Sequence, residues 1–105
     1  MNTNNKKNIV IKIGTTSIIK NDKVDITLLK SLAELIIENK NKFNFVVVTS
    51  GAVGLGATKL NYKSRPESLK RLQVASAVGQ IELINQYEKI FKDKKMNIAQ
   101  VLITK

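Results

Sequence analysis

Apolar residues along the chain follow two different spacings, and the changes between them divide it into strands and helices. Ile9, Val10, Ile11 and Ile13 form an aliphatic run interrupted only by Lys12. A β-branched run without polar alternation predicts a strand from about Asn8 to Ile13, buried on both faces as in a parallel sheet. A polar loop, Lys20-Asn21-Asp22-Lys23, follows. From Ile26 the spacing is helical, with Ile26, Leu29, Leu32, Ala33, Ile36 and Ile37 on one face. Asp25 is placed to cap that helix, and Asn39-Lys40-Asn41-Lys42 ends it. Phe43 to Val48 is a second buried strand. It runs into Thr49-Ser50-Gly51-Ala52-Val53-Gly54, a strand-to-helix turn, with a short helix continuing to about Lys59. Asn61 to Arg65 reads as a loop. Ser64 and Glu67 have capping-box spacing around Pro66, which starts a long helix reaching Asp93. Its apolar stripe runs through Leu69, Leu72, Ala75, Val78, Ile81, Ile84, Tyr87 and Phe91. Gly79 within it marks either a close backbone contact or a tolerated defect worth about 1 kcal/mol relative to Ala. Asn97 to Ile103 is a third predicted strand.

Strands alternating with helices predict an α/β fold with a parallel sheet and right-handed crossovers. Ligands of such sheets bind at the carboxyl ends of the strands. Here those ends carry Gly14-Thr15-Thr16, Thr49-Ser50-Gly51 and Thr104-Lys105. Two of the three are small, hydroxyl-rich and contain glycine. Backbone N–H groups in such turns can cradle phosphate or carboxylate. Lys12 stands directly before the first turn. An ammonium among aliphatics is costly without an anionic partner, and a bound phosphate would supply one. The alternative is a strand-end lysine that snorkels to water. Ser50 likewise reads either as part of an anion site at a helix N-terminus or as a plain N-cap.

Other chemistries are bounded by what the chain lacks. It has no cysteine and no histidine, which excludes disulfides, thiolate chemistry, histidine-based triads and His-ligated zinc. There is no G-x-x-x-x-G-K-[ST] motif, and Gly51, Gly54 and Gly56 have the reverse of the dinucleotide spacing. The carboxylates Asp22, Asp25, Glu34, Glu38, Glu67, Glu82, Glu88 and Asp93 fall in loops assigned to the opposite edge, at caps or within helices. None is at a strand's carboxyl end, so no general base and no metal ligand is expected among them. Glu34 with Lys30 is one of several helix-surface pairs. With 105 residues the chain is one domain or a piece of one. The net charge of +10 raises the alternative of a basic nucleic-acid-binding module. The cations are dispersed and almost all Lys, with Arg65 and Arg71 the exceptions, which argues against it. No apolar stretch approaches a membrane span, and the polar start is no secretory signal. A cytoplasmic protein without membrane or nucleic-acid partners is expected.

The assembled segments resemble the amino-acid kinase family. Ile9-Val10-Ile11-Lys12-Ile13-Gly14-Thr15-Thr16-Ser17 is similar to the opening strand and turn of its members. Val46-Val47-Val48-Thr49-Ser50-Gly51-Ala52-Val53 and Ala77-Val78-Gly79-Gln80 are similar to later segments, as are Tyr87-Glu88-Lys89-Ile90-Phe91 and Ala99-Gln100-Val101-Leu102-Ile103-Thr104. Thr49-Ser50-Gly51-Ala52 resembles the branch acting on L-glutamate. Carbamate, acetylglutamate and uridylate kinases favour Gly-Gly there, and another member of the family is the alternative. The resemblance implies an αβα sandwich around a mostly parallel sheet, here incomplete, with about three strands and three helices. It implies transfer of phosphate from ATP, with Mg²⁺, to the γ-carboxylate of L-glutamate, the first step of proline biosynthesis. By that similarity Lys12 is catalytic and, with Gly14 and Thr15, contacts ATP. Ser50, Gly51 and Ala52 hold glutamate. Proline as feedback inhibitor and a homo-oligomer are implied too. Family members are much longer, so residues 8–105 are expected to form the N-terminal part of the domain behind a polar tail, 1–7. Such a part is expected to lack activity alone.

Overall fold

Two β-branched segments lie side by side in parallel at the centre of the computed structural model, which describes residues 5–102. In chain order the elements are β1 (Lys7–Ile13), α1 (Thr15–Ile18), β2 (Ile19–Lys20), β3 (Lys23–Val24), α2 (Ile26–Asn39), β4 (Phe43–Thr49), α3 (Ala52–Lys59) and α4 (Leu69–Asp93). Strands β1 and β4 pair in register from Lys7 opposite Phe43 to Ile13 opposite Thr49. The crossover between them is α2, the helical connection that parallel strands require. The α/β class is as the sequence implies, with two of the four strands only two residues long.

One face of the sheet is packed. Ile11, Ile13, Phe45 and Val47 meet Leu29, Leu32 and Ile36 of α2 and Leu83, Tyr87, Ile90 and Phe91 of α4. The other face is open, with Val10 64% exposed, Val46 54% and Val48 46%. The expectation of a strand buried on both faces is therefore corrected. Both covering helices lie on one side, and Lys12 is exposed on the open side.

Helix α2 starts where expected. The Asp25 carboxylate accepts the Leu28 N–H at 3.2 Å and pairs with Lys20 Nζ, also at 3.2 Å. The Leu28 N–H first, then the Lys20 ammonium, hold this carboxyl below its ordinary value. The Lys20–Lys23 loop is a tight hairpin turn between β2 and β3, with Asn21 and Asp22 at φ 52° and 62°. Two consecutive positive φ angles are the requirement of a type I′ turn, which Asn and Asp tolerate.

Helix α4 begins at Leu69, not Pro66. Ser68 Oγ accepts the Arg71 N–H at 3.2 Å and is the cap, not Ser64. Pro66 disfavours helical backbone in the residue before it, so Ser64 and Arg65 stay outside the helix. Its buried face follows Ala75, Gly79, Leu83, Tyr87 and Phe91 at four-residue steps, whereas Leu69 and Ile81 of the expected stripe are exposed. A series spaced by threes drifts about 60° per step around a helix of 3.6 residues per turn. Glu34 reaches across to Lys94 Nζ at 3.9 Å instead of pairing along its own helix with Lys30. Residues 97–102 form no strand, which corrects that expectation. No ladder partner lies beside them among the described residues, although Met96 and Ile98 pack on the core. Ile103, Thr104 and Lys105 lie outside the described residues.

Gly79 is a contact, not a defect. A Cβ there would fall on the Ala52 carbonyl and lie 2.6 Å from Gly56 N, while a Cβ on Gly56 would strike the Ala75 carbonyl. Helices α3 and α4 thus meet backbone to backbone through two glycines. Gly79→Ala is expected to lose about 2 kcal/mol or more from overpacking, despite a helix-propensity gain of about 1 kcal/mol. Gly54→Ala, whose Cβ meets nothing within 4 Å, is expected to be neutral or stabilising. Urea unfolding of both variants checks the contrast.

Asp25 gives a pH prediction. Its folded value lies below the unfolded one of about 3.8, so its contribution to stability is complete above that pH. The contribution disappears as pH falls through the folded value. Relative to Asp25→Asn, the native chain is expected to be more stable at neutral pH and to lose that advantage in acid, in a denaturation series run across this range.

Candidate active site

Parallel pairing brings the carboxyl ends of β1 and β4 to one edge. Ile13 and Thr49 are partners, and beyond them the Ser50 N–H donates to the Ile13 carbonyl at 3.0 Å. The two turns are thereby stitched together. Gly14 is extended and caps α1, a single turn in which the Ser17 and Ile18 N–H groups both donate to the Gly14 carbonyl at 3.1 Å. Gly51 caps α3 at φ 110°. A Cβ there would lie 3.1 Å from Ile19 Cδ1 and 3.2 Å from Ile18 Cγ2. Glycine is required at this position both for its conformation and for the close approach of the first turn's isoleucines.

Ser50 is not the helix cap. Gly51 occupies that place without a side-chain bond, and Ser50 is exposed at the rim. The turn is braced from below by Tyr87, whose hydroxyl donates to Thr49 Oγ1 at 2.9 Å, while the Thr49 hydroxyl donates to the Ser50 carbonyl at 3.2 Å. Burial pushes the Tyr87 phenol upward, opposed in part by the Thr49 hydrogen bond.

A shallow cleft of about 320 Å³ opens over this turn. Thr15, Ser50, Gly51 and Ala52 line it together with Arg65, Ser76 and Gln80. Lys12 and Gly14 are outside its lining. Lys12 stands beside Val48, on the open sheet face, one residue before the end of β1. A neighbouring depression of about 510 Å³ shares Val53, Gly54 and Arg65 with the cleft and includes Asp22. The hairpin that follows α1 keeps Asp22 at the site's own edge, which corrects its assignment to the opposite one. Arg65, Ser76 and Gln80 were missed as site residues. Arg65 precedes the proline that delays α4, and Ser76 and Gln80 are one helical turn apart on α4, where Gln80 entered only as part of a family-like segment and Ser76 not at all. The cleft combines hydroxyls, an amide, a guanidinium and a helix N-terminus, a set suited to an anion. No three His, Cys, Asp or Glu residues converge as metal ligands among the described residues. No ion pair joins Lys12 to a carboxylate among them either. No helix there is long and apolar enough to cross a membrane.

Strand order, crossover and glycine turns at one sheet edge define a parallel α/β domain with a cleft at its strand ends, and comparison with known proteins gives the family. The profile of the amino acid kinase family matches residues 7–105, and the chain belongs to that family. The chain is 47% identical over 104 residues to the glutamate 5-kinase of Prochlorococcus marinus (strain MIT 9312). It is 38% identical over 101 residues to that of Streptococcus uberis and 37% identical over 101 residues to that of Clostridium tetani. Each match takes in 94% of this chain but only 28%, 37% and 38% of the respective relative. The chain thus spans about a third of the length of these relatives.

Replacing Gly51 combines backbone strain with a short contact. Gly51→Ala is expected to destabilise the chain by about 1–3 kcal/mol and to shift the amide resonances of Ile18 and Ile19. Thermal melts and two-dimensional NMR check both effects.

Proposed function

We propose that this chain forms the amino-terminal part of a kinase that phosphorylates the γ-carboxylate of L-glutamate with ATP, giving glutamyl 5-phosphate for proline biosynthesis. The observation that carries the reading is the meeting of two glycine turns at one sheet edge, with Lys12 beside them. The relatives, each a glutamate 5-kinase, support it. In the transfer, an acceptor carboxylate oxygen forms a bond to the γ-phosphorus as the bond to ADP breaks. Lys12 counters the negative charge of the phosphates, and Gly14 and Thr15 lie along them. Ser50, Gly51 and Ala52 hold the acceptor. The Ser50 N–H is already committed to Ile13, which leaves the Ser50 hydroxyl and the Gly51 and Ala52 N–H groups for this task.

The described residues do not make a Mg²⁺ site by themselves, since no carboxylates converge. The reading includes a cytoplasmic location and a homo-oligomer, with proline acting at or near the acceptor site.

The test uses the protein at its full natural length. Lys12→Met is expected to lower kcat by about 100-fold or more, the scale of one charge-stabilising donor. Ser50→Ala is expected to raise the KM for glutamate roughly tenfold, the scale of one hydrogen bond to a charged group. A coupled ADP-release assay reads both. A preference for aspartate or acetylglutamate over glutamate would overturn the assignment, as would full activity without Lys12.

A further inference from the structure

Tyr87 is only 5% exposed on the inward side of α4, yet its polar end is directed at the site. The direction of the hydrogen-bond chain is forced. The Ser50 carbonyl can only accept, so the Thr49 hydroxyl donates to it, and the Thr49 oxygen in turn receives the proton of Tyr87. Burial keeps the phenol neutral and therefore a donor.

The consequence lies in the next peptide unit. The Ser50–Gly51 peptide is planar and trans, so its C=O and N–H point in opposite directions. Fixing the Ser50 carbonyl fixes the direction of the Gly51 N–H. Gly51 sits at φ 110°, and glycine moves between backbone regions more freely than any other residue. Rotation of this peptide, which turns ψ of Ser50 against φ of Gly51, is therefore little opposed by the Gly51 backbone itself. The Ser50 N–H is held by Ile13, but that bond lies on the preceding peptide and does not prevent the rotation.

We propose that Tyr87 is a positioning residue for the acceptor: acting through Thr49, its hydroxyl locks the Ser50–Gly51 peptide and so holds the Gly51 N–H in one direction. This rests on the reading that Ser50, Gly51 and Ala52 hold the acceptor carboxylate. The ring itself is anchored separately, stacked on Phe91 with centroids 6.3 Å apart. Removing the hydroxyl therefore leaves the packing in place.

The experiment measures KM for glutamate, KM for ATP and melting temperature in the full-length protein for Tyr87→Phe, Thr49→Val, Thr49→Ser and Ser50→Ala. Tyr87→Phe is expected to raise the glutamate KM roughly fivefold to tenfold, the scale of one lost hydrogen bond. The ATP KM and the melting temperature stay near their native values. Thr49→Val reproduces the effect, Thr49→Ser restores native values, and the double variant Tyr87→Phe/Thr49→Val is no worse than Thr49→Val alone. If Ser50→Ala raises the glutamate KM and Tyr87→Phe does not, the positioning role is wrong and the acceptor reading stands. A parallel rise of both KM values with a fall in melting temperature would make Tyr87 merely structural. An unchanged glutamate KM in Ser50→Ala would remove the acceptor reading, and the positioning role with it.

Discussion

The in-register parallel pairing of β1 with β4 is the constraint from which the site follows. Parallel strands end on the same side, so two turns separated by more than thirty residues of chain emerge next to each other. The ladder continues one step past the strands, through the Ser50 N–H and the Ile13 carbonyl. That last bond makes the second turn depend on the first. A slip of one residue would send Lys12 to the packed face and Ile11 to the open one. The packed set of buried Ile13 and half-buried Ile11, Phe45 and Val47 prevents the slip, because apolar burial on one face fixes the register.

Beneath the turns, packing is set by what is missing rather than by what is present. Gly56 and Gly79 carry no side chain at the crossing of α3 and α4, and the helices approach until their backbones touch. That closeness brings Ser76 and Gln80 of α4 under the N-terminal end of α3 and into the cleft. Isoleucines from α1 and β2 fill the corresponding space at Gly51. The site is thus a junction of close approaches, each needing a glycine.

Much of this was legible in the sequence. Asp25 as cap, the span of α2, the turn after Thr49 and the short helix α3 follow from local rules, and the structure agrees. Local rules fail where tertiary partners decide. Ser64, with Glu67 at capping-box spacing, is the better cap in isolation, and the restriction that Pro66 places on Arg65 removes it in favour of Ser68. The hairpin at Asn21-Asp22 was hidden because its strands are two residues each, too short for an alternating pattern. Residues 97–102 have the composition of a strand, but a strand exists only as half of a pair. The candidate site was legible as two glycine turns, because their residue types state their geometry. Arg65, Ser76 and Gln80 are common polar residues whose role comes solely from the fold around them. Thr49 and Tyr87 belong to the same class: a hydroxyl at a strand end and an aromatic in a helix stripe carry no mark of being bonded to each other.

The open face of the sheet decides how strongly Lys12 can act. Val10, Val46 and Val48 are apolar and exposed around it, so the lysine stands in water on a greasy surface. A unit charge about 4 Å from an anion is worth about 1 kcal/mol in bulk water and about 4 kcal/mol at a partly covered surface. Position and potency are therefore separate properties of this residue. β1 supplies the position by ending Lys12 beside the glycine turn. Potency requires those valines to be covered, which would lower the local dielectric and strengthen the ammonium's attraction for any anion beside it. The same covering would bury apolar surface at about 25 cal/mol per Å², so stability and the electrostatic strength of Lys12 are improved by one and the same contact.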